Sequence, residues 1–139
     1  MTVDSFLDTN ILVYAAAGLG PKMTKRERAL ELIESENFGL SAQVLQEFYV
    51  TVVRKIQVPL TPAAAIEWIE QLEAFPCLPL DSGFVKIAIT TSVRHRLAYW
   101  DAAVVAAAEI LGAKILYTED LNHGQKYGTV RVCNPFRSS

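Results

Sequence analysis

The sequence predicts an α/β fold, a three-layer α/β/α domain built on a short and largely parallel central sheet. Three observations lead there. Short strand-like runs alternate with helix-compatible segments along the chain, hairpin signals are absent between them, and 139 residues with 51% apolar content suffice for one sizeable core. A single domain spanning residues 1–139 is expected.

Val3 to Leu7 reads as a strand, and Asp8-Thr9-Asn10 changes the state of the chain into the helix-compatible stretch Ile11 to Ala17. Asp8 therefore stands at the carboxyl end of a central strand. Gly18-Leu19-Gly20-Pro21 breaks the chain, and Thr24 to Ser35 forms a helix with Ala29, Leu32 and Ile33 on its apolar side. Gly39-Leu40 closes a brief strand. Ser41 then caps a helix from Ala42 to Lys55, whose core face is expected to carry Leu45, Phe48, Tyr49, Val52 and Ile56. Thr61 and Pro62 supply the cap and first position of the next helix, Pro62 to Ala74, which presents Ile66, Ile69 and Leu72. Cys77 to Leu80 is a candidate strand. Asp81 or Ser82 opens a helix through about Arg94 carrying Val85, Ile89 and Val93, and Tyr99-Trp100-Asp101 precedes an almost wholly apolar helix from Ala102 to Leu111. Gly112 ends that helix, and Lys114 to Thr118 and Val130 to Cys133 are the last strands.

Composition narrows the function. The longest apolar runs, such as Ala102 to Ala108, stop well short of the roughly 18 residues that a membrane-spanning helix needs, and no basic segment precedes Thr2-Val3-Asp4. The chain is read as cytoplasmic and unprocessed. Cys77 and Cys133 lack close pairing, and His95 and His123 are the only histidines, so a zinc site is poorly supplied. Both thiols read as buried. Thirteen basic against fifteen acidic residues, a formal charge of -2, give no overall basic footprint for a nucleic acid. Local crowding matters more than the sum: Lys22, Lys25, Arg26 and Arg28 gather in one segment, Arg54-Lys55 in another, and Arg94-His95-Arg96 in a third.

In open parallel sheets, ligands bind beyond the carboxyl ends of the strands. Asp8 and Asp120 both follow strands and arrive at the same edge if those strands are parallel. Asp101 opens the apolar helix, and the aromatic pair before it predicts a buried environment in which a carboxylate needs a partner. Glu47 lies off the centre of its helix stripe, at the edge of a cleft. Each acid alone has a plainer reading: Asp101 as a cap, Glu47 as a solvated residue paired with Arg54, Asp8 and Asp120 as turn residues. Asp4 reads as a solvated residue near the start of the first strand. Together, crowded carboxylates repel one another and require a cation, and hard oxygen donors suit Mg²⁺ or Mn²⁺. Phosphodiester hydrolysis follows naturally. In it Asp8, Asp101 and Asp120 ligate the metal directly or through water, Glu47 ligates or orients the attacking water, and Thr118 and Asn10 steady the carboxylates. One ion or two is left open.

The string Phe6-Leu7-Asp8-Thr9-Asn10-Ile11-Leu12-Val13-Tyr14 resembles the opening motif of PIN domains. In the same order come Ser41-Ala42-Gln43-Val44-Leu45-Gln46-Glu47-Phe48, then Tyr99-Trp100-Asp101-Ala102, then Leu116-Tyr117-Thr118-Glu119-Asp120-Leu121-Asn122-His123-Gly124. The resemblance spans nearly the whole chain. It implies an Mg²⁺- or Mn²⁺-dependent ribonuclease leaving a 5′-phosphate and a 3′-hydroxyl. In size the chain most resembles the VapC toxins of toxin–antitoxin pairs, commonly homodimers silenced by a small VapB antitoxin. The family's four acids fall on Asp8, Glu47, Asp101 and Asp120, its supporting hydroxyl on Thr118, and its frequent polar companions on Asn10 and Asn122.

Lys22, Lys25, Arg26, Arg54, Lys55, Arg94 and Arg96 are candidates for RNA phosphate contacts or, in part, for antitoxin contacts. A homodimer is expected to use apolar residues of the middle helices, including Trp68, Ile69 and Leu72. Two other functions compete: a housekeeping PIN nuclease with the same acids, and a dimerising metal-binding protein without catalysis.

Overall fold

A computed structural model describes residues 2–137 and shows strands and helices alternating as the pattern predicts. The strands are β1 (Ser5–Leu7), β2 (Phe38–Ser41), β3 (Cys77–Leu78), β4 (Ile115–Tyr117), β5 (Lys126–Tyr127) and β6 (Val130–Cys133). The helices are α1 (Thr9–Ala17), α2 (Met23–Ser35), α3 (Ala42–Arg54), α4 (Pro62–Leu72), α5 (Ser82–His95) and α6 (Tyr99–Ile110), with one 3₁₀ turn at Gly20–Lys22. The strands join in the order β3-β2-β1-β4-β6-β5, and every pairing is parallel except β5 with β6. This is the three-layer α/β/α arrangement that the sequence predicts. Helix α1 packs on α2 and α3, and α3 on α4, while α5 and α6 pair and α6 lies on β2, β4 and β6.

That order places the site. From β1 the chain moves outward through α1 and α2 to β2, then through α3 and α4 to β3; it returns through α5 and α6 to β4 on the other flank of β1. Right-handed crossovers in opposite directions put the two helix sets on opposite faces. Between β1 and β4 the order reverses, opening a crevice at the carboxyl ends of those strands. Leu7 is in register with Tyr117, so Asp8 and Thr118 leave the sheet side by side.

Local chemistry explains the helix starts. Ser41, Thr61 and Asp81 accept the N–H of Val44, Ala64 and Phe84 in their side chains, each an N-cap. Residues Ala102 to Ala108 are all buried, because small side chains let α6 lie close between the sheet and α5. No helix among the described residues is long and apolar enough to cross a membrane.

Several expectations about faces need correction. On α5 the buried side takes Phe84, Ala88 and Thr91, while Ile89 and Val93 are exposed. On α3, Val44 and even Gln43 are buried, and Leu45 and Tyr49 only partly so. Ile66 is exposed, and Leu72 is buried in the chain's own core, which removes it from the surface expected to join two copies. Strands β5 and β6 form a hairpin that the sequence reading did not anticipate, turning at Gly128-Thr129 with a positive φ at Gly128. The glycine was its one local signal, in a strand pair too short to show alternation.

Candidate metal centre

Asp8 follows β1 directly and caps α1: its Oδ1 accepts the Thr9 N–H at 2.7 Å. The carboxylate thus sits at the positive end of the helix dipole. Its Oδ2 accepts the Thr118 hydroxyl at 2.8 Å. Thr118, fully buried, in turn accepts the Asn10 amide and the Asp120 N–H, each at 3.1 Å. One donated and two accepted bonds exhaust what a hydroxyl can make. The same Asn10 amide donates to Asp120 Oδ2 at 3.1 Å, and Asn10 Oδ1 accepts the Glu119 N–H at 3.4 Å. Residues from β1, α1 and the exit of β4 therefore form one hydrogen-bonded unit. Thr118→Val should cost about 1–3 kcal/mol, since it strips a buried carboxylate of its donor and orphans two N–H groups; urea denaturation in EDTA measures it, and an unchanged midpoint would contradict the assigned role.

Glu47 reaches the same crevice from α3. Its Oε2 accepts the Thr9 hydroxyl at 2.9 Å and its Oε1 the Gln43 amide at 3.4 Å, one helical turn back. Arg54 does not pair with it; the ion pairs among the described residues are Lys25–Glu119 and Arg28–Glu31. Asp101 is the third residue of α6, which begins earlier than the sequence suggested and has Ala98 at its N-cap. No hydrogen bond to the Asp101 carboxylate is present among the described residues. Trp100, expected to help enclose it, is 64% exposed.

Electrostatics tie the four acids together. Burial raises the Asp8 pKa from 3.8 to about 6; the bonds from Thr118 and Thr9 oppose the rise, and the charges of Asp120 and Glu47 add to it. Burial also raises the Asp101 pKa, followed by the charges of Asp120 and Glu47. Asp8 and Asp101 thus both lie within reach of the charges of Asp120 and Glu47. In kind, the donors fit a hard divalent ion: carboxylates with neutral hydroxyl and amide supports, and no histidine or thiolate beside them. In position they form no finished cage, because no three Asp, Glu, His or Cys side chains among the described residues are grouped to hold one ion.

A sequence profile of the PIN domain matches residues 5–128. The chain belongs to the PIN domain family. Solved PIN-like folds resemble it over most of their length. A toxin–antitoxin complex from Klebsiella pneumoniae is 16% identical, with 97% of this chain and 100% of the other covered at a TM-score of 0.70. Mycobacterium tuberculosis VapC20, a toxin that cleaves the sarcin–ricin loop, is 18% identical, with 84% and 90% covered at 0.65. DNA-bound VapBC from Salmonella typhimurium is 16% identical, with 94% and 97% covered at 0.61. At such identities the likeness is one of fold. No curated protein matches the chain by sequence. Family membership supports a nuclease-type enzyme and use of a divalent metal.

In this PIN domain Glu47 and Asp120 line a cleft of about 710 Å³ together with Asn10, Lys22, Lys55 and Trp100, among others, while Asp8 and Asp101 lie outside its lining. Of the candidate cations, Lys22 and Lys55 line it. Lys25 is engaged elsewhere: its ammonium contacts Glu119 at 2.9 Å and the Tyr14 hydroxyl at 3.2 Å, over the Tyr14 and Phe136 rings. The hydrogen bond to Glu119 leads the causes that raise the Lys25 pKa. Because Tyr14 also donates to Glu119 at 2.6 Å, this cluster braces the turn carrying Asp120. Arg26 is half-buried and donates to the Ala15 carbonyl at 3.4 Å, whereas Arg54, Arg94 and Arg96 are exposed and outside the cleft lining. Asn122 is exposed, and its side chain makes no hydrogen bond to the acids among the described residues. Asp4 is exposed too, facing Asn37 at 3.4 Å. Thr9, Gln43, Tyr14 and Glu119 were absent from the sequence-derived site residues, and Lys25 stood among them as an RNA-contact candidate rather than as a brace for Glu119. The i,i+4 spacing of Gln43 and Glu47 was a usable clue, but the distant cluster left none.

Proposed function

We propose that this PIN domain, one nuclease unit over residues 1–139, is a divalent-metal-dependent endoribonuclease acting as the toxin of a VapBC-type pair. The observation that carries this reading is the buried, hydrogen-bonded Asp8 carboxylate at the sheet's switch point, with Asp120 and Glu47 in its field. A fixed carboxylate so disfavoured in its charged form is suited to a cation.

Asp8, Glu47, Asp101 and Asp120 would hold Mg²⁺ or Mn²⁺, which supplies an activated water and offsets charge on the leaving oxygen. Thr118 and Asn10 fix Asp8 and Asp120 in orientation, with Asn122 beyond them in the same turn. Glu47, held by Thr9 and Gln43, ligates the metal or orients water. Water attacks phosphorus and the P–O3′ bond breaks, leaving a 5′-phosphate and, after O3′ takes a proton, a 3′-hydroxyl. Lys22 and Lys55 retain the strand through its phosphates. Arg26, Arg54, Arg94 and Arg96 are more distant candidates for RNA or antitoxin contacts, and Lys25 acts by bracing Glu119.

The fold likeness to toxin–antitoxin complexes supports a VapB-type antitoxin as partner, and a homodimer and a cytoplasmic location complete the proposal. Light scattering at micromolar concentration tests the dimer, and a monomeric mass would count against it. The activity is tested by incubating purified protein with total RNA and mapping new 5′ ends. Cleavage should require Mg²⁺ or Mn²⁺ and vanish in EDTA; full cleavage in EDTA would refute the metal mechanism. A metal-binding protein without catalysis would bind the ion and leave RNA intact. A housekeeping nuclease would show the same metal requirement without an antitoxin gene beside its own.

A further inference from the structure

Trp100 is a large aromatic residue left 64% exposed on the lining of a cleft that also carries Glu47 and Asp120. A lone exposed apolar side chain ordinarily means nothing. This one has a specific setting. It is the residue before Asp101 on the first turn of α6, and it lines the same cleft as Glu47, Asp120 and Asn10. The Tyr99 ring meets it edge-on at 5.1 Å with the two planes 83° apart and leaves indole surface in solvent. Exposed Lys22 and Lys55 line the cleft as well, and neither takes part in an ion pair among the described residues. One cavity thus combines an aromatic surface, the ammonium groups of Lys55 and of Lys22, the latter 5.7 Å from the Tyr14 ring, and the carboxylates of Glu47 and Asp120.

We propose that Trp100 is a stacking platform for one unpaired base beside the scissile phosphate, so that the cleft selects single-stranded or looped RNA. This rests on the nuclease reading above. Lysines attract the backbone of any RNA equally, whereas an indole face is useful only to a base whose own face is free. In an A-form duplex both faces of each base are covered by neighbours and the major groove excludes side chains; loops and ends expose them. A base on Trp100 would set the adjoining phosphate against Glu47 and Asp120 of the same cleft, giving register without reading sequence.

The test uses Trp100 as its own reporter. The chain has two tryptophans, so Trp68→Phe leaves Trp100 as the sole indole, and Asp8→Asn prevents turnover. With Mg²⁺ present, a short single-stranded RNA should quench Trp100 emission, and the same strand annealed to its complement should quench it far less. In otherwise unaltered protein, Trp100→Ala should raise KM for single-stranded RNA about tenfold with a much smaller change in kcat, and Trp100→Phe should restore most of the loss. Unchanged emission and unchanged KM, in a protein that does cleave RNA, would overturn the platform and leave the nuclease standing. Quenching by single strands in a protein whose unaltered form cleaves nothing would uphold the platform and sink the nuclease. Emission that follows protein dilution and ignores RNA would place Trp100 between two copies of the chain and overturn the inference.

Discussion

Asp8→Asn is expected to lower metal-dependent RNA cleavage by more than about 100-fold while making the metal-free protein more stable. The first effect follows from the proposed role. Losing a group that merely orients a metal ligand costs about 10- to 100-fold, so losing a ligand itself should cost more. The second effect opposes what removal of a structural residue would do. Asp8 is 7% exposed, and its pKa lies near 6 against 3.8 for a free carboxyl. At about 1.4 kcal/mol per pH unit, ionised Asp8 destabilises the folded state by about 3 kcal/mol at neutral pH. Asn still caps α1. It has one carbonyl oxygen where Asp8 offers two, so one of the bonds from Thr9 and Thr118 is lost, at about 1 kcal/mol. A net gain of about 2 kcal/mol remains, measurable by urea denaturation in EDTA. Loss of both activity and stability would show Asp8 to be a structural residue only.

A second large effect is the pH dependence of the metal-free fold. The folded-state pKa of Asp8 is raised, so folding binds a proton more tightly than the unfolded chain does. Below about pH 4 the carboxyl is protonated in both states and contributes no penalty. Between about pH 4 and pH 6 the unfolded chain loses its proton first and the penalty grows. Above about pH 6 it is complete, at about 3 kcal/mol. Because other acids titrate too, the quantity to measure is the stability difference between unaltered protein and Asp8→Asn across that window. The variant's advantage should be absent near pH 4 and full by about pH 7. Mg²⁺ at neutral pH should stabilise the unaltered protein and the variant much less. A pH-independent difference would mean that Asp8 is not the strained carboxylate.

Much of this site was legible as positions. Asp8 and Asp120 follow strand-like runs, and parallel pairing brings such residues to one edge whatever the details of packing. Glu47 was legible as a residue off its helix's apolar stripe. Its partners were not, because Thr9 lies on another helix and the Arg54 partnership suggested by helix spacing did not form. The helix carrying Asp101 was begun three residues late, at Ala102 instead of Tyr99, since Tyr99 and Trp100 carry no capping signal. On α5, Val85, Ile89 and Val93 recur at helical spacing as faithfully as a core stripe does. The buried face is the one with Phe84, Ala88 and Thr91, whose smaller members allow close contact with α6. Periodicity reports that a helix has an apolar side; it does not say which of two such sides meets a neighbour.

From the order of residues alone came the alternation of strands and helices, the caps at Ser41 and Thr61, and the placing of Asp8 and Asp120 just beyond strands, because these depend on near neighbours and on strand direction. Only the folded chain decided that Thr118 spends its hydroxyl on Asp8, Asn10 and Asp120, that Lys25 braces Glu119, and that Trp100 faces solvent over the cleft. Those contacts join residues up to 110 positions apart in the chain. Their partners are selected by the crossing of helices over the sheet, a property no local pattern encodes.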